Sequence, residues 1–571
     1  MRNLELAQIF YQMADLLEMK EEDTFFESRA YNKAARVLES LEKDVGEIYQ
    51  VGGRKALEQI PGIGKGIASK IEELIKTGQI KAYQKLKKES PVDIESFTAV
   101  EGLGPKKIKV LYKKLNIRNL KDLEKAAQAG KIRQLAGFGE KSEKNILQAI
   151  AFVKTSKGRF LLGEILPVVR EIIGDLEKLT EVKKISVAGS VRRMKETVKD
   201  IDILITSNKP SPVMDFFVGL PGIVKVWAKG ITRSSVHFKQ GFDCDLRVIK
   251  KESFGAALQY FTGNKDHNIL TRRIAQQKRL KLNEYGVFRG KKRITGQTEK
   301  KVYQAIGLSY IEPELRTNTG EIEAALAGQL PKIIGYDKIK GDCHVHTDWS
   351  DGMETIEQMA KAAKKMGYQY LVITDHAGFL KIAHGLDEKR LLKQMAEIDR
   401  VNQRLSRIKI LKGAEVDVKD NGSLAIKDEV LAKLDLVLAA IHSSFKMNKK
   451  DMTERLLRAI NNSQVDIIAH PTGRKIHKRE AYSLDFEKIF KAAKKTKTAL
   501  EICAYFERLD LKDTDVRQAI ETGVKLVIST DAHSSNHLAM MELGIAQARR
   551  GWAAKKDILN SQSLTEFLEY F

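Results

Sequence analysis

Residues 184–205 read KISVAGSVRRMKETVKDIDILI. A β-rich run ends at Gly189-Ser190, and nine residues later Asp200-Ile201-Asp202-Ile203-Leu204-Ile205 has the alternation and β-branched content of a strand. Residues i and i+2 of a strand point to one face, so Asp200 and Asp202 present two carboxylates side by side. Asp245, in Phe242-Asp243-Cys244-Asp245-Leu246-Arg247-Val248, offers a third from what reads as a neighbouring strand. Three such groups suit two Mg²⁺ or Mn²⁺ ions handling phosphate oxygens, with Gly189-Ser190 binding the phosphates. An isolated Asp-x-Asp is as readily a solvated strand end. The Gly-Ser and the fixed spacing favour the metal cradle.

Outward from this segment, 571 residues predict about three to five domains. An apolar content of 43% with only 10 Pro excludes wholesale disorder. The formal net charge is +24, and residues 1–340 carry most of it, with 62 basic against 42 acidic side chains. A field of that sign favours a polyanion, nucleic acid first. Cys244, Cys343 and Cys503 form no CxxC pair, which excludes a disulfide framework or a thiolate zinc site and fits a reducing cytoplasm. The N-terminal MRNLELAQIFYQMADLLEMKEED is charged throughout and reads as an amphipathic helix rather than a signal peptide. No apolar run approaches the ~20 residues that span a bilayer, so no membrane partner is expected.

Residues 1–155 read as successive helices, and one element repeats among them. Ile60-Pro61-Gly62-Ile63-Gly64-Lys65, Val100-Glu101-Gly102-Leu103-Gly104-Pro105-Lys106-Lys107 and Leu135-Ala136-Gly137-Phe138-Gly139-Glu140-Lys141 each place two glycines before a Lys-bearing helix. The glycines allow a tight turn and expose N–H groups at a helix start, a site for phosphate oxygen, while the lysines add attraction without sequence preference. One copy could be an ordinary turn; three argue for Gly62, Gly64, Gly102, Gly104, Gly137 and Gly139 as a DNA-backbone grip.

Nine of the eleven histidines lie at or after His344. From there, β-like runs end repeatedly in metal-ligand side chains: His344 and His346, Asp375 and His376, Glu415, His442, His470, Glu501, then Asp531 and His533. Positions 344, 376, 415, 442, 470, 501 and 531 are separated by 32, 39, 27, 28, 31 and 30 residues, close to the ~30 of a strand-helix-strand unit. That period predicts a barrel of seven strand-helix units with its site at the carboxyl ends of the strands. Imidazole and carboxylate without thiolate suit two or three Zn²⁺ or Mn²⁺ ions hydrolysing phosphate esters. Turn formers at 312–340 mark the boundary between the two chemistries.

These motifs carry a resemblance. Gly-Ser, nine residues, then Asp-hydrophobe-Asp resembles the polymerase beta-like nucleotidyltransferases, and Tyr260-Phe261-Thr262-Gly263, Asn268, Arg272 and Leu282-Asn283-Glu284-Tyr285-Gly286 resemble the nucleotide-binding and thumb segments of family X DNA polymerases. The glycine repeats look like helix-hairpin-helix motifs. His344-x-His346 followed by Ser350-Asp351-Gly352 is similar to the first motif of the PHP (polymerase and histidinol phosphatase) domain. The combination is that of bacterial and archaeal family X DNA polymerases.

The resemblance implies a multidomain α/β chain: a lyase-like helical domain (1–85), a helix-hairpin-helix fingers domain (86–155), a nucleotidyltransferase palm (156–250), a thumb (251–317), a linker (318–340) and a (β/α)7 PHP barrel (341–571). It assigns Asp200, Asp202 and Asp245 to the catalytic metals, Arg159, Gly189, Ser190 and Arg193 to the triphosphate, Tyr260, Phe261 and Gly263 to the sugar, and Asn268 and Arg272 to the nascent base pair. It groups His344, His346, Glu415 and Asp531 on one ion, Glu415, His442 and His470 on a second, and Asp351, His376 and His533 on a third. Lys70 matches a Schiff-base lyase lysine, with Tyr31 and Lys33 also matching, but Phe26, Glu27 and Gly66 depart from the 5′-phosphate site, and Lys70 reads equally as a solvated helix-face lysine. Ala504-Tyr505-Phe506 departs from the PHP pattern without removing a ligand. His384, His477 and His537 read as phosphate contacts or surface residues, and Lys199 as a tuning cation or a bystander. The expected activity is gap-filling synthesis with 3′-to-5′ exonucleolytic or 3′-end processing, and cleavage at abasic sites, in base excision repair, on gapped or nicked DNA with dNTPs, by a monomer. A repair nuclease whose polymerase half only holds DNA, and a small-molecule phosphatase, are the alternatives.

Overall fold

The computed structural model describes residues 3–20, 24–41, 44–98, 100, 103–156, 158–379 and 383–571. Gly102 lies outside the described residues.

Helices from Asn3–Met19 to Glu140–Ser156 share one apolar core in which Phe10, Phe97, Ile71 and Leu111 are buried. Their short turns are set by glycine. Gly62 has φ +91°, and a Cβ there would lie 2.8 Å from Val37 Cγ2, so both its conformation and its packing demand glycine. Gly64 caps Lys65–Thr77 and Gly104 caps Pro105–Leu115, each in extended conformation just before the helix, and Gly139 directly precedes Glu140–Ser156.

The next body is a five-stranded sheet in the order Val182–Val187, Asp200–Ser207, Asp243–Val248, Arg233–Phe238, Ile223–Lys229. The strands bearing the three aspartates are central neighbours, parallel, with Asp202 in register with Asp245 and Asp200 with Asp243. Leu162–Glu177 and Pro210–Val218 cover its apolar face. Helices Phe254–Thr262, Lys265–Gln277 and Glu299–Ala305 surround a small sheet of Lys281–Asn283, Gly286–Arg289 and Lys292–Thr295. The stretch expected to link the halves is built into the fold. It holds the helix Glu321–Ala327, and the fully buried Glu321 carboxylate meets His267 Nδ1 at 2.8 Å.

The C-terminal sheet runs Gly341–Val345, Tyr370–Ile373, Lys409–Asp417, Leu436–Ala440, Ile467–Ile468, Ala499–Cys503, Leu526–Ser529, parallel throughout, with helices between strands. His346 N–H donates to the Ala532 carbonyl at 2.8 Å, which brings the first strand beside the end of the last. One cluster, including Val372, Leu438, Ala499 and Val527, fills the inside and is closed by Phe567, while a larger one packs strands against helices. The barrel is docked on the rest of the chain: Ile476, Leu509 and Leu543 join the core of the five-stranded sheet, and Arg474 pairs with Glu196 at 2.8 Å. Arg549 pairs with Glu314 at 2.7 Å on the thumb side. Among the described residues no helix is long and apolar enough to cross a membrane.

Candidate active sites

In the first site the parallel register brings Asp202 beside Asp245, and Asp200 lies two residues away on the same strand face. Gly189 holds φ +61° and approaches so closely that a Cβ would sit 2.6 Å from Asp202 Oδ2. Burial first, then the charges of Asp200 and Asp245, push the Asp202 carboxyl up to about 6. The three carboxylates lie near enough for Asp200 and Asp245 to repel the Asp202 charge, but their oxygens do not converge into one of the tight groups of three ligand atoms seen in the barrel. Asp245 also accepts from Arg233 Nη2 at 2.8 Å, Arg247 Nη2 at 3.2 Å and the Ser235 hydroxyl. Those basic partners carry no motif and are missed by reading the sequence.

Gly189 and Ser190 open the short helix Gly189–Arg192 beside this cradle. Arg193 donates to the Thr262 carbonyl and lies against Gly263, where a Cβ would be 3.2 Å from Nη1. Burial, then the Arg316 charge, lower its pKa to about 10. Arg159 donates to the Thr197 hydroxyl and carbonyl at 2.9 and 2.7 Å. Arg192, absent from the sequence-predicted set, forms a fork with Glu299 at 2.9 and 2.6 Å, and Glu299 also receives Arg316 Nη1 at 2.7 Å. Burial opposes ionisation of Glu299, but the two arginines outweigh it and hold the carboxyl at about 2. This clamp ties the sheet domain to the thumb. Tyr260 and Phe261 meet edge to face at 5.1 Å. Asn268 is buried and locked, accepting from Gln259 at 2.9 Å and donating to the Tyr260 carbonyl at 2.6 Å, while Arg272 donates to the Asn268 carbonyl at 3.1 Å. Lys199 is exposed, with its charge acting on Asp243.

In the second site the structure converges all nine sequence-predicted ligands at the barrel mouth. His346, Asp351, His376 and His533 form one group able to hold an ion, His344, His346 and Asp531 another, and His376, Glu415 and His442 a third. The grouping differs from the one expected from the resemblance: Glu415 is not grouped with His344, His346 and Asp531, and His470 falls in none of the three groups. His346 is shared between two groups, and His376 turns its Nδ1 to Glu415 at 2.7 Å. His470 Nε2 also reaches Glu415, at 2.8 Å, so that carboxylate is the hub. The fit to metal ions is tested by what these atoms lack. Both nitrogens of His346, Nε2 of His344 and His442 and Nδ1 of His470 are buried without a hydrogen bond, an arrangement costly unless a ligand satisfies them.

Behind the ligands stands a row of acceptors that orient them. Glu501 Oε1 holds His344 Nδ1 at 2.8 Å, Asp417 Oδ1 holds His442 Nδ1 at 2.8 Å, and the Asp531 carbonyl holds His533 Nδ1 at 2.8 Å. Each contact turns Nε2 inward. Asp375 is bound by Thr347, Ser350 and Gln394, so it braces the first loop rather than facing the cleft. Burial lowers His346 to about 4, with His533 and His376 adding to the effect, which keeps a ligand nitrogen unprotonated. For His533 burial is outweighed by Asp351 and Asp531, and the imidazole rises to about 9. Arg508 Nε stands 3.4 Å from Asp531 Oδ2.

His537 is buried and accepts the His533 amide at 3.3 Å, His384 is exposed, and His477 lies half-buried near Arg159 and Glu196. Phe506 packs against Gly163 of the sheet domain, while Ala504 packs against Gly544 within the barrel. Lys70 is half-buried with Nζ 5.6 Å from the Tyr31 ring centroid. Phe26 and Glu27 are exposed.

A nucleotidyltransferase-type carboxylate cradle and a PHP-type histidine barrel in one chain define a two-site, metal-dependent enzyme class acting on phosphate esters. Sequence comparison agrees. Family profiles match for a helix-hairpin-helix domain at 1–80, a SAM-like helix-hairpin-helix tandem at 94–151, the DNA polymerase beta thumb at 257–317 and the PHP domain at 342–505. The DNA polymerase/3′-5′ exonuclease PolX of Bacillus subtilis (strain 168) is 40% identical over 573 residues, covering 99% of this chain and 98% of that protein. A probable phosphatase of Thermoanaerobacter sp. (strain X514) is 30% identical over 41% of this chain and 95% of its own length, and DNA polymerase lambda of Arabidopsis thaliana is 24% identical over 55% of this chain and 62% of its own length. The chain belongs to the family X DNA polymerases that carry a C-terminal PHP domain.

Proposed function

We propose that this protein fills short gaps in DNA from a template and trims the 3′ end of the same strand at its second site, serving base excision repair in the cytoplasm as a monomer. The observation that carries the reading is the pair of separate clusters, Asp202 in register with Asp245 and two residues from Asp200 in the sheet domain, and the histidines with orphaned nitrogens among the nine barrel ligands.

At the first site Asp200, Asp202 and Asp245 hold Mg²⁺ or Mn²⁺. When bound there, such ions would supply charge neutralisation of the triphosphate and ease deprotonation of the primer hydroxyl. The Gly189 and Ser190 backbone, Arg193 and Arg159 orient the phosphates of the incoming dNTP, as donors do for a transferring phosphoryl group. Tyr260, Phe261 and Gly263 wall the sugar. Asn268 keeps that wall in place through the Tyr260 carbonyl, and Arg272 faces the base pair. The six hairpin glycines grip gapped or nicked DNA by its backbone, so synthesis is expected on any sequence. Phe26, Glu27 and Gly66 stand where a 5′-phosphate site would need phosphate-binding side chains, so we assign Lys70 to DNA contact rather than to lyase chemistry.

At the second site Asp351, His344, His346, His376, Glu415, His442, His470, Asp531 and His533 hold two or three Zn²⁺ or Mn²⁺ ions. When bound, such ions would polarise the phosphodiester and activate the attacking water. Glu501 and Asp417 keep their histidines in the ligating tautomer. Lys475 at the cleft meets the backbone of the strand being trimmed. A 5′-labelled primer on a one-nucleotide gap, with Mg²⁺ or Mn²⁺, tests this: one-nucleotide extension with dNTPs and shortening without them are expected, and a primer unchanged in both conditions contradicts it.

A further inference from the structure

The barrel cleft is not closed by the barrel alone. The helix Phe25–Ser40 packs against the turn Ser535–Met540, which directly follows the ligands Asp531 and His533. Arg36 on that helix lines a cleft of about 450 Å³ together with His376, Glu415, His442, Lys475 and Arg508. That volume is of the size that takes a small ligand such as a nucleotide. Arg508 is already engaged by Asp531, and Glu507, also lining the cleft, is engaged by Lys478. Arg36 is exposed and has neither an ion pair nor a hydrogen bond among the described residues.

We propose that the N-terminal helical domain forms a wall of the barrel's active-site cleft and that Arg36 is a positioning residue for the DNA strand being trimmed there. The inference rests on the nuclease reading above. A guanidinium suits the role, because its planar fork pairs with phosphate oxygens and it stays charged at every working pH. The same helix is backed by the first glycine turn: a Cβ at Gly62 would lie 2.8 Å from Val37 Cγ2 and 3.3 Å from Lys33 Cε. The first hairpin turn and Arg36 are thus parts of one packed unit. Arg36 acts on the phosphate backbone, not on the scissile bond.

The test uses the full-length protein with Arg36→Ala and Arg36→Lys, and follows Mn²⁺-dependent shortening of a 5′-labelled strand between 50 and 200 mM salt. Arg36→Ala is expected to raise KM about tenfold, the loss of one charge-assisted contact, with kcat changed less than KM. The slope of log(1/KM) against log salt should become shallower by about 0.7–0.9, one phosphate contact. Arg36→Lys should restore most of both, since a merely structural role would leave the salt slope unmoved. A KM within twofold of wild type, an unchanged slope, or loss confined to kcat overturns the proposal. Wild-type protein that leaves the strand intact instead overturns the nuclease reading itself.

Discussion

Gly189 and Asp202 are in contact across the first site: the glycine holds φ +61° and leaves 2.6 Å between the place of a Cβ and Asp202 Oδ2. The turn that would cradle phosphates and the carboxylate that would hold metal are thus parts of one close-packed unit. Gly189→Ala should keep the fold but displace Asp202. Primer extension is expected to fall about a hundredfold, the scale of a ~1 Å misplacement, while trimming by the barrel is retained. Equal loss of both activities, or none, contradicts the assignment.

Asp202, raised to about 6 by burial and by Asp200 and Asp245, binds its proton more tightly folded than unfolded. The folded state is thereby favoured at low pH, and this contribution is lost as pH rises through about 6. In metal-free protein, Asp202→Asn should gain stability over wild type between pH 5 and pH 7, by on the order of 3 kcal/mol at most. Proton and metal compete for the same oxygen, so the Mg²⁺ needed for half-maximal extension should climb as pH drops below about 6. Melting curves and metal titrations at both pH values check the two signs.

Glu501→Gln removes the carboxylate that fixes His344 Nδ1 while leaving all nine ligands in place. Loss of such an orienting partner typically costs 10–100-fold in metal affinity or activity. Zinc or manganese retention after dialysis and the trimming rate should fall together by that factor, with extension unchanged.

Much of both sites was legible because their residues sit at fixed local offsets. Asp200 and Asp202 follow the strand period of two, and the barrel ligands recur at the ~30-residue period of a strand-helix unit. What was not legible pairs across long, aperiodic separations. Glu299 gathers Arg192 and Arg316, Arg233 and Arg247 tie down Asp245, and Asp417 orients His442, with no motif announcing any of them. Glu501 stood in step with the ligands but lies behind them, since a strand period fixes which way a side chain points and not which neighbour reaches it first. Turn formers at 312–340 suggested a linker, yet His267 and the amides of Asn318 and Thr319 bind Glu321 and build the segment into the thumb.

Arg549 and Glu314 form a largely buried pair between barrel and thumb, at 2.7 Å. Arg549→Met leaves the Glu314 charge buried with only the Tyr336 hydroxyl as a side-chain partner, which costs up to about 3–5 kcal/mol. Thermal unfolding should separate into two transitions or drop several degrees, and Glu314→Gln on the Arg549→Met background should recover part of the loss.

The most direct test of two independent active sites in one chain compares wild type, Asp200→Ala/Asp202→Ala and His344→Ala/His346→Ala on a one-nucleotide gapped duplex with Mn²⁺ or Mg²⁺. The aspartate variant should lose extension and keep primer degradation, and the histidine variant the reverse. Loss of both activities in either variant, or a wild-type protein that never extends the primer, would contradict the account.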